Sequence, residues 1–304
     1  VTSAAPSDLT EIADGVYAFI QEPGGWCVSN CGVIVDRDQL IVVDTAATVS
    51  RAKSLKAAIG KLVKDCTPVV INTHFHGDHI FGNATLQPVA IYSHVNARDD
   101  IISAGLGLTE LWPTVEWGDV ELRLPTVTYS DRMTLHSGSR SVELLHLGPA
   151  HTTGDTLVWL PDDRILFAGD VVMSGCTPFA LMGSVTGSLD VLQQIRRLGP
   201  ETIISGHGSI SGPEVINENR NYLEWVLELA RKGLASGATP LELTQSTSLP
   251  AQFADLLDSE RLVANIHRAY ADLGGDAPGT PLDVVAIFKE MILANGGVLP
   301  SCSA

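Results

Sequence analysis

The sequence predicts an α/β fold: a four-layer αββα sandwich with a C-terminal helical extension. Two observations predict it. Up to Gly212, short β-branched runs alternate with stretches of helical spacing, and that succession occurs twice. Each half would supply one sheet and its covering helices, the two sheets packing face to face. After Gly212 only helical spacing remains. The expected division is therefore a main domain over 1–212 and a helical region over 213–304, whose first helix can still belong to the main domain.

The elements follow in order. Residues 10–20 alternate and read as a strand. Residues 31–35 and 40–44 are β-branched runs around the turn Asp36, Arg37, Asp38 and read as a hairpin. Leu55, Ala58, Ile59 and Leu62 fall at helical spacing within 50–63. A buried strand is expected over 68–72 and another over 89–93, with a helix from Asn96. The stretch 105–125 lacks a clear period and contains Trp112, Pro113 and Trp117. Long irregular segments in compact domains are often functional loops. Strands are then expected over 127–129, 132–135, 142–147, 156–160 and 164–167, a helix over 188–198 and a strand over 202–205. Beyond Gly212, helices are expected over 217–235, 240–245, 259–273 and 282–295.

Composition limits the partners. Of 304 residues, 45% are hydrophobic and 6% aromatic, which suits a large aliphatic core. Asp plus Glu number 35 against 19 Lys plus Arg, a formal charge of −16. Such a chain repels phosphate backbones and anionic membranes, so a small-molecule substrate is expected, with no nucleic-acid or membrane partner. No apolar run reaches the length of a membrane-spanning helix. Cys27, Cys31, Cys66, Cys176 and Cys302 form an odd set. The C-x3-C pair at Cys27 and Cys31 has no second pair to complete a structural zinc site, and reduced thiols of a cytoplasmic protein are expected. Residues 1–10 show no basic segment followed by an apolar stretch, which also favours the cytoplasm, while the Val at position 1 leaves secretion open.

Four short segments carry the chemistry. Within 74–79 stand His74, His76, Asp78 and His79, directly after a buried strand. Imidazole and carboxylate suit zinc, and also iron or manganese. At a strand end, His74 and His76 can face one ion while Asp78 and His79 turn to a second, and Gly77 lets the backbone fold tightly between them. His151, Asp170 and His207 each follow an expected strand in a turn containing Gly. Singly, His151 would more often be structural and Asp170 an ordinary turn residue. Together they set His, Asp and His at strand ends beside the cluster.

With these residues in place, the sequence resembles the metallo-β-lactamase superfamily. The family pattern is H-x-H-x-D-H, then a distant His, an Asp and a last His, and every position is filled here across residues 9–212. The resemblance implies a catalytic domain over 1–212 with two zinc ions per chain, iron or manganese being alternatives. By the same implication His74, His76 and His151 hold the first metal, Asp78, His79 and His207 hold the second, and Asp170 bridges them. Asp44, at the end of an early strand, is similar to the family's aspartate that orients the metal-binding histidines.

The bridging Asp170 makes the site similar to glyoxalase II-like thioesterases and lactonases and unlike the true β-lactamases. No Tyr closely follows Asp170, which weakens the lactonase resemblance. Arg220, Tyr222, Arg231 and Lys232 are candidates for a glutathione-type contact, with an exposed helix face as the alternative. The expected activity is a metal-dependent hydrolysis of a thioester, ester or lactone. A metal-bridging hydroxide attacks the carbonyl, with the ions about 3.5–4 Å apart. Asp78 is expected to relay a proton while it binds metal. An iron-dependent oxidoreductase of the persulfide dioxygenase type and a β-lactam hydrolase are the alternatives. Trp26, Trp112, Trp117 and Cys176 are candidates for the substrate pocket. The apolar face of the last helix, with Val284, Ile287, Phe288 and Met291, is expected to cover the site or a second subunit, a homodimer, with intrachain packing as the alternative.

Overall fold

The computed structural model describes residues 8–37, 39–64 and 66–304. Residues 1–7, and Asp38 of the expected turn, lie outside the described residues.

The chain runs β1 (Thr10–Ala13), β2 (Val16–Phe19), β3 (Cys31–Asp36), β4 (Gln39–Val43), α1 (Val49–Leu62), β5 (Val69–Ile71), α2 (Gly77–Ile80), α3 (Asn83–Leu86), β6 (Ala90–His94), α4 (Val95–Ala104), α5 (Gly107–Leu111) and β7 (Val127–Tyr129) through its first half. Its second half runs β8 (Arg132–Ser137), β9 (Arg140–Leu145), β10 (Leu157–Leu160), β11 (Ile165–Gly169), α6 (Val185–Leu198) and β12 (Thr202–Ser205). Then come α7 (Glu214–Ser236), α8 (Pro240–Ser246), α9 (Arg261–Gly274) and α10 (Val284–Ala294).

Seven strands form one sheet in the order β1 to β7, and five form the other in the order β12-β11-β10-β9-β8. The first is antiparallel as far as β4 and parallel beyond it, where α1, then α2 and α3, then α4 and α5 lie in the three connections. In the second sheet β11 and β12 are parallel, joined through α6. The single strand expected over 10–20 is instead a hairpin, β1 pairing antiparallel with β2. Gly15 makes the turn at φ +71, and a Cβ there would lie 2.4 Å from the Val35 carbonyl oxygen. The alternating pattern continues across that turn, so periodicity alone concealed it.

Alternation along the strands sorts side chains into layers. Ile34, Ile41 and Ile71 of the first sheet meet Val142, Val158 and Phe167 of the second in the central core. On the outer face of the first sheet, Leu55 and Ile59 of α1 cover Val33, Val42 and Val70. On the outer face of the second, Trp159, Leu166 and Ile203 pack with Val191 and Ile195 of α6, Leu223 and Val226 of α7, and Leu262 and Ile266 of α9. The helices after Gly212 thus share an apolar cluster with the sandwich.

One face of α9 is polar yet buried: Arg261, Asn265 and Arg268 fall at i, i+4 and i+7 and are at most 1% exposed. They fasten the segment after β11. Arg261 donates to the Thr177 carbonyl (2.9 Å), Asn265 to the Pro178 carbonyl (2.7 Å), and Arg268 to the Leu181 carbonyl (2.7 and 2.9 Å). Asn265 also accepts from the Ala180 amide at 3.0 Å. Irregular backbone would otherwise be buried without partners there.

Candidate metal centre

The expected ligands come from the ends of β5, β11 and β12 and from the loop between β9 and β10, and they converge. His74, His76, His151 and Asp170 form one group, Asp78, His79 and His207 another, and the ligand atoms within each group lie within 4.8 Å of one another. His76 Nδ1 is 3.0 Å from His74 Nε2 and 2.9 Å from His151 Nε2. Nitrogens on one tetrahedral zinc ion are about 3.3 Å apart, so this trio is close to ligand spacing. Asp170 lies between the groups. Its Oδ2 is 3.4 Å from both His151 Nε2 and His207 Nε2, and its Oδ1 is 3.2 Å from His79 Nε2. Asp78 Oδ2 is 3.2 Å from His207 Nε2.

Outward hydrogen bonds fix which nitrogen faces inward. His79 Nδ1 donates to Asp44 Oδ2 at 2.8 Å. His151 Nδ1 donates to the Phe179 carbonyl at 2.5 Å, and His207 Nδ1 to the Gly25 carbonyl at 3.2 Å. Thr73 Oγ1 donates to Asp44 Oδ2 and so receives the proton of His74 Nδ1 at 3.0 Å. In each of these four imidazoles the Nε2 lone pair is left pointing into the site. Asp44 leaves β4 with φ +59, a left-handed turn that Asp tolerates, and its Oδ1 accepts from the Thr73 amide at 2.8 Å.

His76 Nε2, His79 Nε2 and Asp170 Oδ1 are buried without any hydrogen-bond partner. Such atoms are costly unless something binds them. Convergent imidazole lone pairs, two carboxylates and orphaned polar atoms fit a pair of divalent cations. Electrostatics agrees. Burial, then the neighbouring histidines, pushes His74 well below the usual imidazole range and His76 to about 3, so these two stay neutral. Burial also works against charge on His207, but Asp170 and Asp78 prevail and raise it to about 9. Burial pushes Asp78 up, yet His79 and His207 hold it at about 2. The second group thus calls for positive charge beside its carboxylates.

Two glycines are required for room. A Cβ on Gly206 would lie 1.9 Å from Asp170 Oδ1. One on Gly77 would lie 2.3 Å from the Phe81 ring, so Gly77 serves close packing, and it is absent from the positive-φ residues. Asp155, which sequence reasoning passed over, shapes the His151 turn by accepting from the Thr152 amide and hydroxyl and the Ala150 amide.

A cleft opens on His76, Asp78, His151, Asp170 and His207. Trp26 and Trp112 line it. Trp117 stands behind this wall. It is 8% exposed, meets the Phe81 ring at 6.1 Å and donates from Nε1 to the Trp112 carbonyl. Cys176 lines a neighbouring cavity with Tyr222 and Phe253, because the chain turns away after Met173, a residue common to both spaces. The α10 face packs inward: Val284, Phe288 and Met291 form part of the cleft wall. Phe179 and Arg261 also line the cleft, and neither was singled out from the sequence. The signal available for Arg261 was its i, i+4, i+7 spacing with Asn265 and Arg268 on α9.

The glutathione-type candidates are elsewhere. Arg220 pairs with Glu224 at 3.6 Å and Lys232 with Glu228 at 2.6 Å, while Arg231 is exposed. Tyr222 is buried against Phe253 and Trp225.

Comparison with known proteins gives the same constellation a family. The family model described as the metallo-beta-lactamase superfamily matches residues 24–207. A metallo-beta-lactamase type 2 of Bacteroides fragilis is 24% identical, covering 74% of this chain and 88% of its own. An acyl-coenzyme A thioesterase of Bos taurus is 25% identical, covering 73% and 90%. A linear primary-alkylsulfatase of a Pseudomonas strain is 24% identical over 85% of this chain, which spans 59% of that relative. Among solved structures, a stereoselective inverting sec-alkylsulfatase from Pseudomonas sp. superposes with a TM-score of 0.70 at 15% identity, covering 96% of this chain and 55% of the other. Matched over more than half its length, and with the two ligand groups assembled at its strand ends, the chain belongs to the metallo-beta-lactamase superfamily.

Proposed function

We propose that this protein is a di-zinc hydrolase of a carbonyl substrate: a thioester, ester or lactone. The observation that carries the reading is the convergence of His74, His76, His151, Asp78, His79, His207 and Asp170 with inward lone pairs and orphaned carboxylate oxygen. Held there, two divalent ions supply Lewis acidity and a hydroxide nucleophile at neutral pH. The residues do the rest. His74, His76 and His151 would hold the first ion, and Asp78, His79 and His207 the second. Asp170, lying between both groups, would hold both. Asp44 keeps His79 and, through Thr73, His74 in the binding tautomer. Asp78 lines the cleft and, in this reading, moves the proton from nucleophile to leaving group.

A small-molecule substrate agrees with the acidic composition. Among the described residues no helix is long and apolar enough to cross a membrane. A second reading, hydrolysis of an alkyl sulfate ester, is favoured by the alkylsulfatase relative, whose match reaches 85% of the chain. The test is a zinc-loaded assay on neutral thioesters, lactones, a chromogenic β-lactam and dodecyl sulfate. Turnover of thioesters or lactones is expected. Turnover of dodecyl sulfate alone selects the second reading. One bound iron with oxygen uptake, and no hydrolysis, overturns both.

A further inference from the structure

The cleft carries a continuous aromatic run that ends on the metal group. Phe288 of α10 meets Trp112 edge-on at 5.4 Å. Trp112 meets Trp26 at 5.5 Å, and Trp26 meets Phe179 edge-on at 5.3 Å. Phe179 meets His151 at 6.1 Å, and its carbonyl is the one that accepts from His151 Nδ1. These four rings come from the loop after β2, the irregular 105–125 stretch, the segment after β11 and α10.

Away from the metal group, the wall offers no exposed Lys or Arg among the described residues. Arg261 is the one Lys or Arg among the described residues that line the cleft. It is fully buried and pairs with Asp258 at 2.8 Å, and Trp26 covers its guanidinium at 4.1 Å. Trp26 is itself fastened by donating to Glu260 at 2.7 Å. An anionic substrate body would therefore be desolvated there without a partner. Ring faces and edges at these spacings instead favour another ring.

We propose that the cleft selects an acyl group that is uncharged and carries an aromatic ring, with Trp112 and Phe288 as specificity-determining residues. This rests on the carbonyl-hydrolase reading for the reacting end only; the body of the substrate is set by the aromatic run. Glutathione conjugates, whose bodies are charged, are excluded by the same wall.

Two measurements test it on zinc-loaded protein. The first is kcat/KM for the S-ethyl thioesters of 2-naphthoic, hexanoic and acetic acids. Naphthoyl is expected to exceed hexanoyl by about tenfold, and Phe288→Leu to reduce that ratio about threefold to tenfold, because the substitution keeps the wall apolar and removes only the ring. The second is saturable quenching of tryptophan fluorescence by 2-naphthoate, set against hexanoate and S-methylglutathione. Tighter binding of naphthoate, weakened in Phe288→Leu and in Trp112→Leu, supports the proposal. Equal ratios for naphthoyl and hexanoyl, or tighter binding of S-methylglutathione, overturn it. Selective naphthoate binding with no turnover of any thioester supports the aromatic cleft and overturns the carbonyl-hydrolase reading, so the two failures are distinguishable.

Discussion

Two regions meet at the candidate site and are built on different principles. The sandwich edge presents side chains from turns at strand ends, where a residue or two fixes each donor atom. The helical region and the 105–125 stretch present a wall, where no single residue is decisive and packing sets the shape. Donor sets of the first kind tolerate little change, since four of the five imidazoles each depend on one outward hydrogen bond. Walls of the second kind can be repacked, so specificity is expected to vary there while the metal chemistry stays fixed.

The comparison breaks most sharply at Asp170. Asp170→Ala removes the carboxylate between the two groups, and hydrolysis is expected to fall about a thousandfold, corresponding to several kcal/mol of lost charge stabilisation. Zinc content should drop with it. Full activity with two bound zinc ions contradicts the bridging role.

Arg261→Met attacks the junction between the regions. It leaves Asp258 in place and removes the hydrogen bond to the Thr177 carbonyl. Breaking a buried pair from one side costs about 3–5 kcal/mol, which in a chain this size lowers Tm by roughly 5–8 °C. A thermal melt within a few degrees of the parent would show that α9 is not what holds the segment after β11.

Asp44→Asn keeps the shape but changes the hydrogen bonds that set the His79 and His74 tautomers. Zinc affinity measured by chelator competition is expected to fall about 10–100-fold. Asn265→Ala acts one step further out. Asn265 brackets Phe179 from both sides, and Phe179 orients His151. Its effect on affinity should lie at the lower end of the same range, about tenfold. Affinity unchanged in Asn265→Ala would confine α9 to wall-building. The smallest effect is expected from Leu293→Ala on the outer side of α10, where the residue is 53% exposed, a change within about 0.5 kcal/mol.

The two regions also differ in how much could be read beforehand. Strand-end positions of His74, His76, Asp78, His79, His151, Asp170 and His207 were legible because ligand chemistry narrows the residue types and turns localise them. Asp44 was reached only through the family resemblance, because a carboxylate that ends a strand also reads as an ordinary turn residue. The helices over 50–63 and 188–198 were clear from their apolar spacing. The break at Gly15 was hidden because alternation continues across the turn. Phe179, Phe288 and Arg261 were hidden because their roles depend on contacts between distant segments, such as Trp26 with Arg261 at 4.1 Å. Trp117 and Trp112 look alike in sequence, and only packing decides that one faces the cleft while the other supports it.

Metal content tests the central claim most directly. Purified protein, stripped with chelator, reloaded with zinc and desalted, should hold two zinc ions per chain by elemental analysis. Its Tm should rise on loading by about 6 °C, since ligands that bind only the folded state at a thousandfold over their dissociation constant stabilise by about 4 kcal/mol. One ion or none per chain, with Tm unmoved, would contradict a two-metal centre built from the seven side chains.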